Sequence, residues 1–122
     1  LAEQELPPWL REQLARYTQL QQNLQAVILQ KQQVDMEHAE VERALEQLKL
    51  VADEEPVYKS VGPIMVKVRK EDIVKELEEK KELAQTRSMI LAKQETKIRE
   101  SLRELEAKLQ EALRGRPAAQ PS

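Results

Sequence analysis

Two runs of heptad-spaced residues, one in each half of the chain, mirror each other about Val61. In the first run the a and d positions read Leu10, Gln13, Tyr17, Leu20, Leu24, Val27, Lys31, Val34, His38, Val41, Leu45 and Leu48. In the second they read Val74, Leu77, Lys81, Ala84, Ser88, Leu91, Glu95, Ile98, Leu102, Leu105, Leu109 and Ala112. Spacings that alternate between three and four residues put these side chains on one stripe of a helix, the pattern of a coiled-coil seam. Laid antiparallel, each facing pair is equidistant from Val61: Leu10 with Ala112, Leu24 with Ile98, His38 with Ala84, Leu48 with Val74. The chain is therefore expected to fold back on itself as a long antiparallel two-helix coiled coil, mainly α.

Helix signals bound the two arms. Pro7 and Pro8 precede the first periodic residues, and proline is tolerated in a first helical turn, where its missing N–H has no partner to lose. Glu55-Pro56 marks the other end, because a residue before proline is pushed out of the helical region. These signals predict a first helix over 8–54. Glu71 and Asp72 suit the positive end of a second helix over 70–114, and Gly115 and Pro117 suit its stop. Residues 115–122 read as a disordered tail, and 1–122 as one domain. Each arm is then roughly 45 residues, about 65–70 Å of helix.

Between the arms, residues 56–69 change character. VYKSV and IMVKV flank Gly62-Pro63, with Val57, Lys59 and Val61 alternating with Tyr58 and Ser60, and Ile64, Val66 and Val68 alternating with Met65 and Lys67. Period two is the strand signal, so this is a single central β-hairpin whose turn type the Gly-Pro pair leaves open. A lone two-stranded hairpin is marginal in water, and both its outer edges carry unpaired N–H and C=O groups. Val57, Tyr58, Val61, Ile64, Met65, Val66 and Val68 are accordingly expected to form an oligomerisation surface, assembling into an intersubunit β-barrel. A ribbon that merely caps the coiled coil is the other reading.

The seam layers are uneven. Most near the chain termini and near the insert are apolar on both sides, whereas those from Val27–Glu95 to Val41–Lys81 each carry one polar partner. Less apolar area is then removed from water, so an arm stiff at both ends and looser between them is expected.

Composition removes several functions. Charged residues make up 34% and aromatics 2%, too little for a round core. The formal net charge is −2 with the signs interspersed, which argues against nucleic acid as partner. There is no Cys, hence no disulfide and no thiolate site, and a reducing, cytoplasmic setting is expected. No apolar run suggests a membrane partner. The single His38 falls on the seam opposite Ala84, a packing position rather than a metal ligand. No phosphate loop, metal cluster or nucleophile–base pair stands out, so neither a cofactor nor an enzyme is expected.

The run VYKSVGPIMVKV, followed by KEDIVKELEEKKEL and preceded by QLQQNLQAVILQKQQVD, resembles the β-type subunit of prefoldin over residues 8–114. One hairpin rather than two matches the β class and not the α class. The resemblance implies a hexamer of two α-type and four β-type subunits whose hairpins build a double barrel. It also implies ATP-independent capture of unfolded polypeptides and their transfer to a group II chaperonin.

The residues point to where capture would occur. Leu6, Trp9, Leu10 and Leu14 meet Leu109 and Leu113 where both helix termini come together. Leu6, Trp9 and Leu113 lie off the strict seam, so this tip has more apolar surface than the seam buries, a client-binding patch. Leu6 and Trp9 could instead form a hydrophobic staple at the helix start. Two functions stay open: a holdase subunit, and a scaffolding coiled coil that binds one folded partner.

Overall fold

The computed structural model describes residues 6–114. Four elements follow in order: α1 Pro8–Lys49, β1 Val57–Val61, β2 Ile64–Val68 and α2 Lys70–Leu113. They form two compact units. One takes the described residues up to Gln30 together with those from Leu91 onward; the other is Lys31–Ile90. In both units every heptad position named above is buried or half-buried, while the intervening faces are largely exposed.

In the first unit Leu10, Leu105 and Leu109 make the core, with Leu14, Tyr17, Leu20 and Ala112 packed against it. α1 and α2 contribute to this core together, as the antiparallel layers require. The Pro7 carbonyl accepts the N–H groups of Leu10 and Arg11, both at 3.0 Å, and Pro8, which has no N–H, occupies the first turn without losing a bond. The expected stop at Gly115 and Pro117 and the tail 115–122 lie outside the described residues.

In the second unit the seam is more polar, and Ala84 is its buried hydrophobic residue. The Ser88 hydroxyl donates to Asp35 at 2.7 Å, and Lys81 pairs with Glu42 at 3.7 Å; both cross between the helices. Asp35 and Glu42 each follow a seam residue, so these contacts lie one residue from the Val34–Ser88 and Val41–Lys81 layers set by symmetry about Val61.

α1 stops at Lys49, five residues before the expected end at 54. The seam explains the difference. Leu48 faces Val74, and the next layer would set Ala52 against Lys70, with no apolar area to bury. The chain instead tightens, with Leu50 N–H bonding to Gln47 and Val51 N–H to Leu48, at 3.1 and 3.2 Å. A turn follows in which Glu55 N–H bonds back to the Ala52 carbonyl and the Glu55 carboxylate accepts the Ala52 N–H. The residue before Pro56 is not helical, as the proline rule requires, but the helix had already ended.

The strands pair antiparallel, Val57 with Val68, Lys59 with Val66 and Val61 with Ile64 on one face, Tyr58 with Lys67 and Ser60 with Met65 on the other. Gly62 has φ +56°. Proline holds its own φ negative, so only the first of the two turn residues is left-handed, the requirement of a type II′ turn. A Cβ at Gly62 would meet nothing within 4 Å, so backbone conformation, not space, selects glycine there. α2 begins after a single connecting residue, Arg69, whose carbonyl accepts the N–H groups of Asp72 and Ile73.

Candidate functional site

The tip cluster divides into sealed and open residues. Leu10 and Leu109 are 5% and 6% exposed, so they hold the seam closed. Leu6 and Trp9 are half-buried against the Leu10–Leu105–Leu109 core, as is Leu14. Leu113 is 67% exposed, although it belongs to the last turn of α2. The open apolar surface of this unit's end therefore comes from Leu6, Trp9, Leu14 and Leu113.

The hairpin, in the other unit, is exposed on both faces. Ile64 and Met65 are 58% and 66% exposed, and Tyr58, Val61 and Val66 are exposed as well. Val57 and Val68 are half-covered where the strands meet the helices. With only two strands in the sheet, the outer edge of each offers its ladder groups to solvent.

Polar contacts around the hairpin base were not legible in the heptads. Glu76, which the i,i+4 rule would give to Lys80, bonds instead to Lys59 of β1 at 2.7 Å. That bond holds the Glu76 carboxyl below its ordinary range, with Lys80 adding a weaker attraction. Lys70 donates to the Val51 carbonyl at 2.5 Å and to Asp53 at 3.3 Å. Glu95 pairs with Arg99 at 2.9 Å as helix spacing suggests, while Glu71 pairs with Arg69. A rule confined to neighbours on one helix cannot find partners seventeen or more residues away.

His38 carries its Nδ1 3.2 Å from Glu42, and its Nε2 is buried without a partner. Among the described residues no three His, Cys, Asp or Glu side chains converge as a metal site, and no helix is long and apolar enough to cross a membrane.

Two long helices bridged by one hairpin that keeps its apolar residues exposed define a single-hairpin coiled-coil subunit. Known proteins share this architecture. The prefoldin subunit family model matches residues 11–116. The prefoldin subunit beta of Archaeoglobus fulgidus is 51% identical over 109 residues, covering 89% of this chain and 94% of that protein. That of Thermococcus kodakarensis is 41% identical over 111 residues, 91% of this chain and 95% of the relative. The crystal structure of the prefoldin beta subunit from Thermococcus strain KS-1 superposes with a TM-score of 0.80 at 41% identity, covering 91% of this chain and 97% of that one. The chain belongs to the prefoldin subunit family, a family of chaperone subunits, and the resemblance is to its beta class.

Proposed function

We propose that the chain is a subunit of an ATP-independent holdase, capturing unfolded polypeptides at the tip formed by both helix termini and passing them to a group II chaperonin. The observation that carries this reading is the division among the tip residues: Leu10 and Leu109 close the seam, yet Leu113 in the last turn of α2 stays exposed and Leu6 and Trp9 are only half-covered. A seam already sealed gains nothing from an exposed leucine in the last turn. A transient apolar partner does.

Assembly follows the same reasoning. The exposed hairpin faces and open strand edges are the surface through which β-type chains would join each other and two α-type subunits in an α2β4 hexamer. Each tip binds weakly, and several on one body raise the effective concentration for the next contact. Release then needs only a competing receptor, not nucleotide hydrolysis. The proposed setting is the cytoplasm, consistent with a chain free of Cys.

Trp9 is the chain's only tryptophan, so it reports on the tip directly. With an α-type subunit and a denatured client that both lack tryptophan, client binding should shift Trp9 emission to the blue. An unchanged spectrum under conditions where the client is held would move capture away from the tip.

A further inference from the structure

We propose that Lys59 and Glu76 are positioning residues for assembly, their ion pair fixing the angle at which the hairpin stands on α2. The proposal rests on the reading of the hairpin as the assembly surface and adds what aims that surface.

Three tethers hold the hairpin base. The first is covalent: only Arg69 separates the end of β2 at Val68 from the start of α2 at Lys70. One residue fixes a distance but leaves two soft dihedrals free to swing. The second is Lys70, whose side chain is 19% exposed and whose ammonium donates to the Val51 carbonyl and to Asp53. It pins the segment arriving from α1 to the first residue of α2, and these bonds reach neither strand. The third is Lys59–Glu76 at 2.7 Å, among the described residues the one side-chain hydrogen bond or ion pair joining a strand to a helix. Glu76 lies six residues beyond Lys70, about 9 Å further along the helix axis. Two attachment points separated along α2 set an angle, which one alone cannot.

The place of Lys59 on the sheet supports this role. The register puts it on the face shared by Val57, Val61, Ile64, Val66 and Val68, where it is the one charged residue. Val57 and Val68, beside it at the helical end, are half-covered; Val61, Ile64 and Val66, toward the turn, are exposed. Lys59 thus marks the line between the part of this face that rests near the helices and the part free for a neighbour. An ammonium there, tied to a carboxylate on α2, keeps the free part pointing outward.

Both side chains are more than a third exposed, so the pair adds little to folding. Assembly is another matter, because a swinging hairpin must give up its freedom at every interface it joins.

The test uses the full chain mixed with an α-type prefoldin subunit, followed by sedimentation velocity over a concentration series. Lys59→Met and Glu76→Gln should each raise the concentration of half-assembly on the order of tenfold, with helicity and the urea midpoint of the unassembled chain little changed. Lys59→Arg should assemble as wild type, and the charge swap Lys59→Glu with Glu76→Lys should recover most of the loss. Single variants that assemble like wild type would overturn the proposal. So would variants that lose helicity, or a swap that recovers nothing. Wild-type chain that fails to assemble at all would overturn the reading of the hairpin as an assembly surface, a separate outcome.

Discussion

The Ser88 hydroxyl of α2 donates to Asp35 of α1 at 2.7 Å, at a seam layer where coiled coils ordinarily bury two apolar side chains. The same carboxylate accepts from Lys31 at 2.8 Å. Polar atoms thus replace apolar area in the middle of the heptad run, and the register is held by directed bonds as well as by burial.

Replacing Ser88 separates those two contributions. Ser88→Ala should cost under about 1 kcal/mol, since the bond is half-exposed and water can replace it. Ser88→Leu, facing Val34, should restore an apolar layer and raise stability by about 1–2 kcal/mol. Urea unfolding of both variants at one fixed chain concentration checks this. A leucine variant less stable than the wild type would show that the directed bond outweighs burial at this layer.

His38 is the second polar interruption, with a buried Nε2 that has no partner. An unsatisfied buried donor or acceptor costs stability, and its removal should return part of that cost. His38→Leu is expected to raise the urea midpoint by an amount worth about 1 kcal/mol. Glu42, its partner at Nδ1, keeps Lys81 at 3.7 Å and is not left alone.

The seam, the fold-back point and the hairpin strands were all legible in the sequence because each rests on a periodicity. Leu10 to Leu48 and Val74 to Ala112 keep their spacing for the length of a helix, and the structure covers every one of those positions. The end of α1 was not legible. Pro56 reports that residue 55 is not helical, whereas the helix ended at Lys49, where one more layer would set Ala52 against Lys70 rather than an apolar residue. Nor was the turn type, which needed the φ of Gly62. The tip was legible as a cluster and partly as a division: the heptads put Leu10 and Leu109 on the seam and Leu113 off it, but Leu6 and Trp9, also off the seam, prove half-covered, which only packing shows. Lys59–Glu76 and Asp35–Ser88 escaped because their partners are brought together by the fold-back rather than by one helix.

Acid should loosen the second unit in a defined window. Lys31 and then Ser88 hold the Asp35 carboxyl below its ordinary value, and Lys59 does the same for Glu76. Folded carboxyls with lowered pKa values stabilise the fold above the unfolded pKa values, about 3.9 for Asp and 4.3 for Glu, and lose that contribution as pH falls through the lower folded values. The urea midpoint should therefore owe these two groups no change between pH 7 and about 5, and a fall below about pH 4. In an Asp35→Asn, Glu76→Gln double variant that fall should be shallower. An equal slope in the variant and the wild type would show that other carboxylates govern the acid limb.

If the open residues of the tip hold unfolded polypeptide without nucleotide, light scattering should register it as delayed aggregation. Two unrelated denatured proteins are diluted into buffer without ATP, in the presence of this chain assembled with an α-type subunit. Wild-type complex should delay aggregation of both, and a Trp9→Ala, Leu113→Ser double variant that assembles normally should lose most of that delay. A double variant that protects both proteins as well as wild type would contradict capture at the tip, and wild-type complex that protects neither would contradict the holdase itself.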